Sequence, residues 1–185
     1  MTRHLLVIGA QRCGTTYLQA LLDAHPDITM ARPSRPEPKY FLSAEAGEHG
    51  LDEYRTRYFS HAAGEALLGE KSTSYIEHPE AAGRATEVLG RAAIVVMLRD
   101  PVDRAVSNWR FSVVNGLEDR PLEEALAENL ESTQTWDPET TSVSPYAYLE
   151  RGRYDGYLDS WYAAFPGTTH VRFYEDLTRD EHAIG

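Results

Sequence analysis

A short apolar run, His4 to Ile8, stops at Gly9, and Gly9-Ala10-Gln11-Arg12-Cys13-Gly14-Thr15-Thr16 leads directly into helical spacing. This order restricts the fold more than any other feature of the chain. An apolar run of that length closed by glycine reads as a buried parallel strand. The following residues place apolar side chains at Tyr17, Leu18, Leu21 and Leu22, one helical face, and His25-Pro26 ends it. Between strand and helix, Gly9 and Gly14 let the backbone turn its amides inward, and the helix N-terminus adds partial positive charge. Thr15 and Thr16 add hydroxyl donors. Such a loop is built to hold an anion of phosphate type.

The rest of the chain repeats the alternation. Leu67 to Glu70, Ala92 to Leu98 and His170 to Phe173 read as strands. A polar amphipathic piece lies around Leu51 to Phe59, and Glu80 to Leu89, Leu122 to Leu130 and Tyr157 to Phe165 read as helices. Asp100-Pro101 starts a further helix, with Asp100 as N-cap and Pro101 at the first helical position. Its apolar face is predicted at Val102, Ala105, Val106, Trp109 and Val113, and Asn115-Gly116 closes it. Pro33, Pro36 and Pro38 exclude regular helix over Arg32 to Pro38. Ser132 to Ser144 reads as a mobile surface segment. Strands alternating with helices predict an α/β fold with a P-loop-type central parallel β-sheet, flanked by helices on both faces, in one domain over 1–185. Glu175 to Thr178 looks like the lead into another helix, so the expectation is a fragment or a chain with a missing tail.

Charge narrows the partners. The 185 residues carry 18 basic and 29 acidic side chains, a net charge of −11. A body this acidic repels nucleic acid, so an anionic ligand needs a local basic cluster. One cysteine, Cys13, excludes an intramolecular disulfide framework and a cysteine zinc cluster. No apolar run approaches the ~20 residues of a membrane span. The expectation is a cytoplasmic protein. Apart from Lys39 and Lys71 every basic residue is arginine, the usage of a GC-rich, bacterial genome.

The loop resembles the nucleotide triphosphatase pattern Gly-x-x-x-x-Gly-Lys-[Ser/Thr], with Thr15 at the lysine position and the cation three residues earlier at Arg12. A magnesium triphosphate needs that lysine and a second-strand aspartate. Here Leu98 is followed by Arg99, and Asp100 is committed as a cap. A cysteine phosphatase is excluded because Gln19 stands where its arginine belongs. Cys13 is most simply a small loop residue.

In these residues the chain resembles the sulfotransferases that use 3′-phosphoadenosine 5′-phosphosulfate (PAPS), and among them the bacterial relatives of the heparan sulfate enzymes. Gly9 to Thr16 matches the family's Gly-x-x-[Lys/Arg]-x-Gly-Thr-[Thr/Ser] loop. Arg99-Asp100-Pro101 and Ser107 match its 3′-phosphate motif. Glu70-Lys71-Ser72-Thr73-Ser74-Tyr75 is similar to its Glu-Lys-[Ser/Thr]-Pro-x-Tyr, with Thr73 in place of the proline. Pro36-Glu37-Pro38-Lys39-Tyr40-Phe41 is similar to its Lys-Glu-Pro-His-Phe-Phe, with Pro36, Lys39 and Tyr40 as departures.

The resemblance implies sulfuryl transfer from PAPS, as co-substrate and without a metal, to a hydroxyl or amine of a small-molecule or glycan acceptor. It implies that Gln11, Arg12, Cys13, Gly14, Thr15 and Thr16 hold the 5′-phosphosulfate, and that Arg99 and Ser107 hold the 3′-phosphate. It implies Glu37 as the base that takes the acceptor's proton, with Arg12 and Lys71 neutralising charge during transfer. Glu70 is the competing base. A P-loop kinase or triphosphatase, and a nucleotide-binding module without catalysis, are the alternative readings.

Overall fold

The computed structural model of the protein describes residues 3–137 and 144–179. In chain order its elements are β1 (Arg3–Gly9), α1 (Thr15–Asp23), β2 (Ile28–Met30), α2 (Ala46–Phe59), β3 (Leu67–Lys71), α3 (Pro79–Leu89) and β4 (Ala92–Leu98). Then come α4 (Pro101–Val114), α5 (Leu122–Glu131), α6 (Asp155–Ala164), β5 (Thr169–Phe173) and α7 (Tyr174–Arg179). The chain groups into two compact units: one carries all five strands with α1–α3, α6 and α7, and the other is Arg99–Tyr154.

The first unit is a parallel sheet in the order β2-β3-β1-β4-β5, flanked by helices. The centre is apolar because its strands are covered: Leu6, Val7, Ile8, Ile94, Val96 and Met97 are all buried. The predicted strands and helices are present within a few residues of their expected bounds. Two differences have physical causes. β2 has three residues and begins just after His25-Pro26, so it is too short to show any periodicity; pairing with β3 makes it a strand. α2 extends back to Ala46, but Gly50 at φ 72°, ψ −170° breaks the helix, and the part from Leu51 onward is the piece the sequence suggests.

Under β3 lies an aromatic cluster. The buried Tyr54 ring is 5.1–5.7 Å from Tyr40, Phe41, Tyr58 and Phe59. Such contacts fill the core and add their own modest attraction beyond area burial.

In the second unit, Asp100 caps α4 as predicted, accepting from the amides of Val102 and Asp103 at 2.9 and 3.1 Å. The buried face of α4 corrects the sequence reading. Val102 and Val113 are exposed, whereas Arg104, Ala105, Asn108 and Ser112 are buried. The reason is a polar demand: the irregular segment 144–149 presents carbonyls that need donors. Asn108 and Ser112 both donate to the carbonyl of Pro145, at 2.9 and 2.8 Å, and Arg104 donates to that of Tyr148. A buried carbonyl left unpaired costs more than a buried methyl returns. Of the segment predicted to be mobile, Ser132 to Asp137 carries no regular element beyond α5, and 138–143 lies outside the described residues.

Candidate active site

The phosphate loop begins where β1 ends, between its neighbours β3 and β4. The amide of Ala10 donates to Met97 at the end of β4, at 2.7 Å. Gly9 backs onto the turn after β3; a Cβ there would lie 2.6 Å from the Ile76 side chain and 3.2 Å from the Thr73 carbonyl. Gly14 caps α1 in the left-handed region at φ 78°, which glycine adopts at little cost. A side chain at Gly14 would also collide with the Tyr174 ring, 2.5 Å away. As a glycine, Gly14 contributes no side-chain cap to the first turn of α1. Cys13 is buried, with its thiol donating to the Gln11 carbonyl at 3.5 Å, the small loop residue anticipated. Thr15 is buried; Arg12 and Thr16 are exposed. Arg12 adopts φ 67°, a conformation that branched or bulky residues avoid.

Beside this loop the structure brings together residues far apart in sequence. The Lys71 ammonium, at the end of β3, donates to Glu37 Oε1 at 2.6 Å. The Thr73 amide donates to Glu37 Oε2 at 2.8 Å, and the Thr73 hydroxyl lies 3.0 Å from Oε2 and 3.3 Å from Oε1. Glu37 thus sits in a nest of donors on the loop between β2 and α2, while remaining partly open to solvent (18% side-chain exposure). The Lys39 amide donates to Ser72 Oγ at 2.9 Å, a second fastening of the same loop. Lys39 itself is left-handed at φ 52°.

Glu70 occupies a different position. It is fully buried and receives hydroxyls from Tyr54 and Ser72, each at 2.6 Å. Burial pushes its carboxyl above the ordinary range, and these hydrogen bonds offset only part of that shift. The same burial, with the neighbouring carboxylate, pushes the Tyr54 and Tyr75 hydroxyls well up. A carboxyl enclosed in this way presents no face to an incoming acceptor.

Arg99 and Ser107 lie in the second unit. Arg99 follows β4 directly, pairs with Asp103 at 3.6 Å and accepts the Tyr154 hydroxyl on its carbonyl at 3.0 Å. Ser107 is half-buried on α4.

Among the described residues no cluster of three or more His, Cys, Asp and Glu side chains is arranged to hold a metal ion. No described helix is long and apolar enough to cross a membrane. The sequence reading missed Thr73 and Ser72 as partners of the Glu37 loop, and Tyr54 and Tyr75 as partners of Glu70. Thr73 was visible as a departure from the resembled motif. Nothing in the sequence connects Tyr54 to Glu70.

Comparison with known proteins follows the same lines. The family model described as Sulfotransferase domain matches residues 2–183. The chain is 35% identical over 112 residues to the membrane-associated sulfotransferase kil1 of Dictyostelium discoideum, covering 60% of this chain and 23% of that protein. It is 30% identical over 168 residues to the bifunctional heparan sulfate N-deacetylase/N-sulfotransferase 1 of Caenorhabditis briggsae, covering 87% of this chain and 19% of that one. The chain therefore spans about a fifth of the length of these curated relatives. Among solved structures, a sulfotransferase from Alicyclobacillus acidocaldarius superposes over 100% of this chain and 78% of its own, with a TM-score of 0.79 at 26% identity. The sulfotransferase domain from the curacin biosynthetic pathway, at 15% identity and a TM-score of 0.59, shares the fold.

Proposed function

The chain belongs to the sulfotransferase family, and from that premise we propose that it transfers a sulfuryl group from PAPS to a hydroxyl or amine of a glycan or small-molecule acceptor. One observation carries the reading: a glutamate from the loop between β2 and α2 and a lysine at the end of β3 meet at 2.6 Å, beside a glycine loop whose first residue packs on the turn that follows β3. The heparan sulfate enzymes among its relatives favour a glycan acceptor. The cytoplasmic setting and the bacterial origin rest on composition alone.

The mechanism follows from the charges. Amides of the phosphate loop, Gln11 through Thr16, cradle the 5′-phosphosulfate, and the hydroxyls of Thr15 and Thr16 add donors. Arg99 presents a planar fork suited to the 3′-phosphate, with Ser107 as a second donor. The acceptor oxygen or nitrogen attacks sulfur in line. As the new bond forms, the bond from sulfur to the 5′-phosphate oxygen breaks, and Glu37 takes the acceptor's proton. The products are the sulfated acceptor and adenosine 3′,5′-bisphosphate. Arg12 and Lys71 stabilise charge that grows on the leaving phosphate and the sulfuryl oxygens. Glu37 is favoured over Glu70 as base because it is partly open to solvent while Glu70 is fully buried beneath two hydroxyls.

The test is turnover of radiolabelled donor across hydroxyl and amine acceptors, repeated with Glu37→Gln. That substitution keeps the shape and removes the base, so the rate is expected to fall by ~10²–10⁴-fold with donor affinity retained. Stabilisation by ATP with magnesium in place of adenosine 3′,5′-bisphosphate would favour the kinase or triphosphatase reading. Tight bisphosphate binding with no labelled product from any acceptor would favour a binding module.

A further inference from the structure

The turn after β3 does more than carry Lys71 to the site. Thr73 spends both of its donors on one carboxylate: its amide and hydroxyl reach Glu37 Oε2 at 2.8 and 3.0 Å. A carboxylate has about four lone-pair directions, two on each oxygen. Two donors saturate Oε2. Oε1 receives the Lys71 ammonium at 2.6 Å and only the long arm of the shared hydroxyl at 3.3 Å, so it retains one good acceptor direction.

Thr73 is itself held firmly. It is buried, and its carbonyl lies against Gly9, where a Cβ would come within 3.2 Å. The following amide ladder closes at once, with Tyr75 N–H donating to Ser72 at 3.1 Å. Thr73 therefore refers the position of Glu37 to the phosphate loop. The resembled motif has a proline here, and proline offers neither an N–H nor a hydroxyl. This two-donor hold is a property of the residue this chain has instead.

We propose that Thr73 is a positioning residue: it fixes Glu37 Oε2 and thereby presents Oε1 as the atom that takes the acceptor's proton. The proposal rests on the reading of Glu37 as the base.

Two variants separate positioning from bulk structure. Thr73→Val keeps the shape and the amide but loses the hydroxyl, and Thr73→Ser keeps both donors. Thr73→Val is expected to lower kcat by roughly tenfold or more, the size of effect of one hydrogen bond to a charged group. The KM for donor and the melting temperature with adenosine 3′,5′-bisphosphate are expected to stay close to wild type. Thr73→Ser is expected to restore kcat to within about twofold. Wild-type kcat in Thr73→Val, measured beside an inactive Glu37→Gln, overturns the Thr73 role and leaves the base reading standing. A loss in Thr73→Val that Thr73→Ser does not rescue, or that appears equally in donor KM, also overturns it. Full turnover in Glu37→Gln removes the base reading and this proposal together.

Discussion

Glu70 and Glu118 are both buried carboxylates, one at the end of β3 and the other between α4 and α5, and their surroundings drive them in opposite directions. Glu70 accepts neutral hydroxyls, from Tyr54 and Ser72, and burial leaves its pKa raised. Burial pushes Glu118 up as well. There, however, the guanidinium of Arg120 at 2.6–2.8 Å, the amides of Asp119 and Arg120, and the Tyr148 hydroxyl outweigh it and hold the carboxyl down at about 2. Glu118 accepts five hydrogen bonds against two at Glu70, and two of its five come from a cationic guanidinium, which replaces lost solvation better than neutral donors do. Glu118 is an electrostatic fastener of the second unit. Glu70 lies in the first unit, in the hydroxyl-lined floor under the Glu37 loop.

The largest expected effect comes from breaking the charged case. Arg120→Ala strands Glu118, whose side chain is only 2% exposed. Removing one partner of a buried pair costs about 3 kcal/mol or more. For a chain of this size that lowers the melting temperature by roughly 6–12 °C. A loss under about 1 kcal/mol in denaturant unfolding would mean that the amides and the Tyr148 hydroxyl suffice without the cation.

The pH dependence sharpens the contrast. The folded pKa of Glu118, about 2, lies below its ordinary value of 4.5, so its contribution is full above 4.5 and drains away as pH falls toward 2. Glu70 is shifted the other way. Its contribution is full below 4.5 and is lost as pH rises through its raised folded value. Glutamine does not titrate in either place. Measured against wild type, the cost of Glu118→Gln is expected to shrink as pH falls from 4.5, and the cost of Glu70→Gln to shrink as pH rises from 4.5. Parallel unfolding curves over pH 3 to 8 for the two variants would defeat the distinction.

How much of this was legible in the sequence differs between the scaffold and the site. The strands at His4 to Ile8 and Ala92 to Leu98 could be read because covered parallel strands are continuous apolar runs, and α4 because Asp100-Pro101 is a local start signal. β2 could not, since a three-residue edge strand takes its identity from β3. The buried face of α4 was misread because apolar periodicity says nothing about carbonyls 40 residues away that need donors. The phosphate loop is contiguous, so its pattern could be read whole. Glu37 and Lys71 could be nominated only by resemblance, and Thr73 not at all, because their meeting depends on how the 32–39 loop folds back on the end of β3 and the turn after it. Glu70 illustrates the limit: its neighbour Lys71 suggested a catalytic role, while the tyrosines that enclose it come from α2 and from the turn at Tyr75–Glu77.

The smallest expected effect tests whether the floor reaches the Glu37 loop at all. Ser72 is the joint: its hydroxyl donates to Glu70 Oε1 at 2.6 Å, which orients its lone pairs to accept the Lys39 amide at 2.9 Å. Ser72→Ala removes both bonds, yet Glu70 keeps the Tyr54 hydroxyl and the Lys39 amide is only partly buried. The global cost is therefore about 1 kcal/mol. The local consequence is more specific. Amide hydrogen exchange at Lys39 is expected to quicken, because its protecting acceptor is gone, while the amide of Arg104 in the second unit keeps its wild-type rate. Tyr54→Phe provides the control, since it removes a hydroxyl from Glu70 without touching the Ser72 link. Unchanged exchange at Lys39 in Ser72→Ala would sever the floor from the loop, leaving Glu37 held by Lys71 and Thr73 alone.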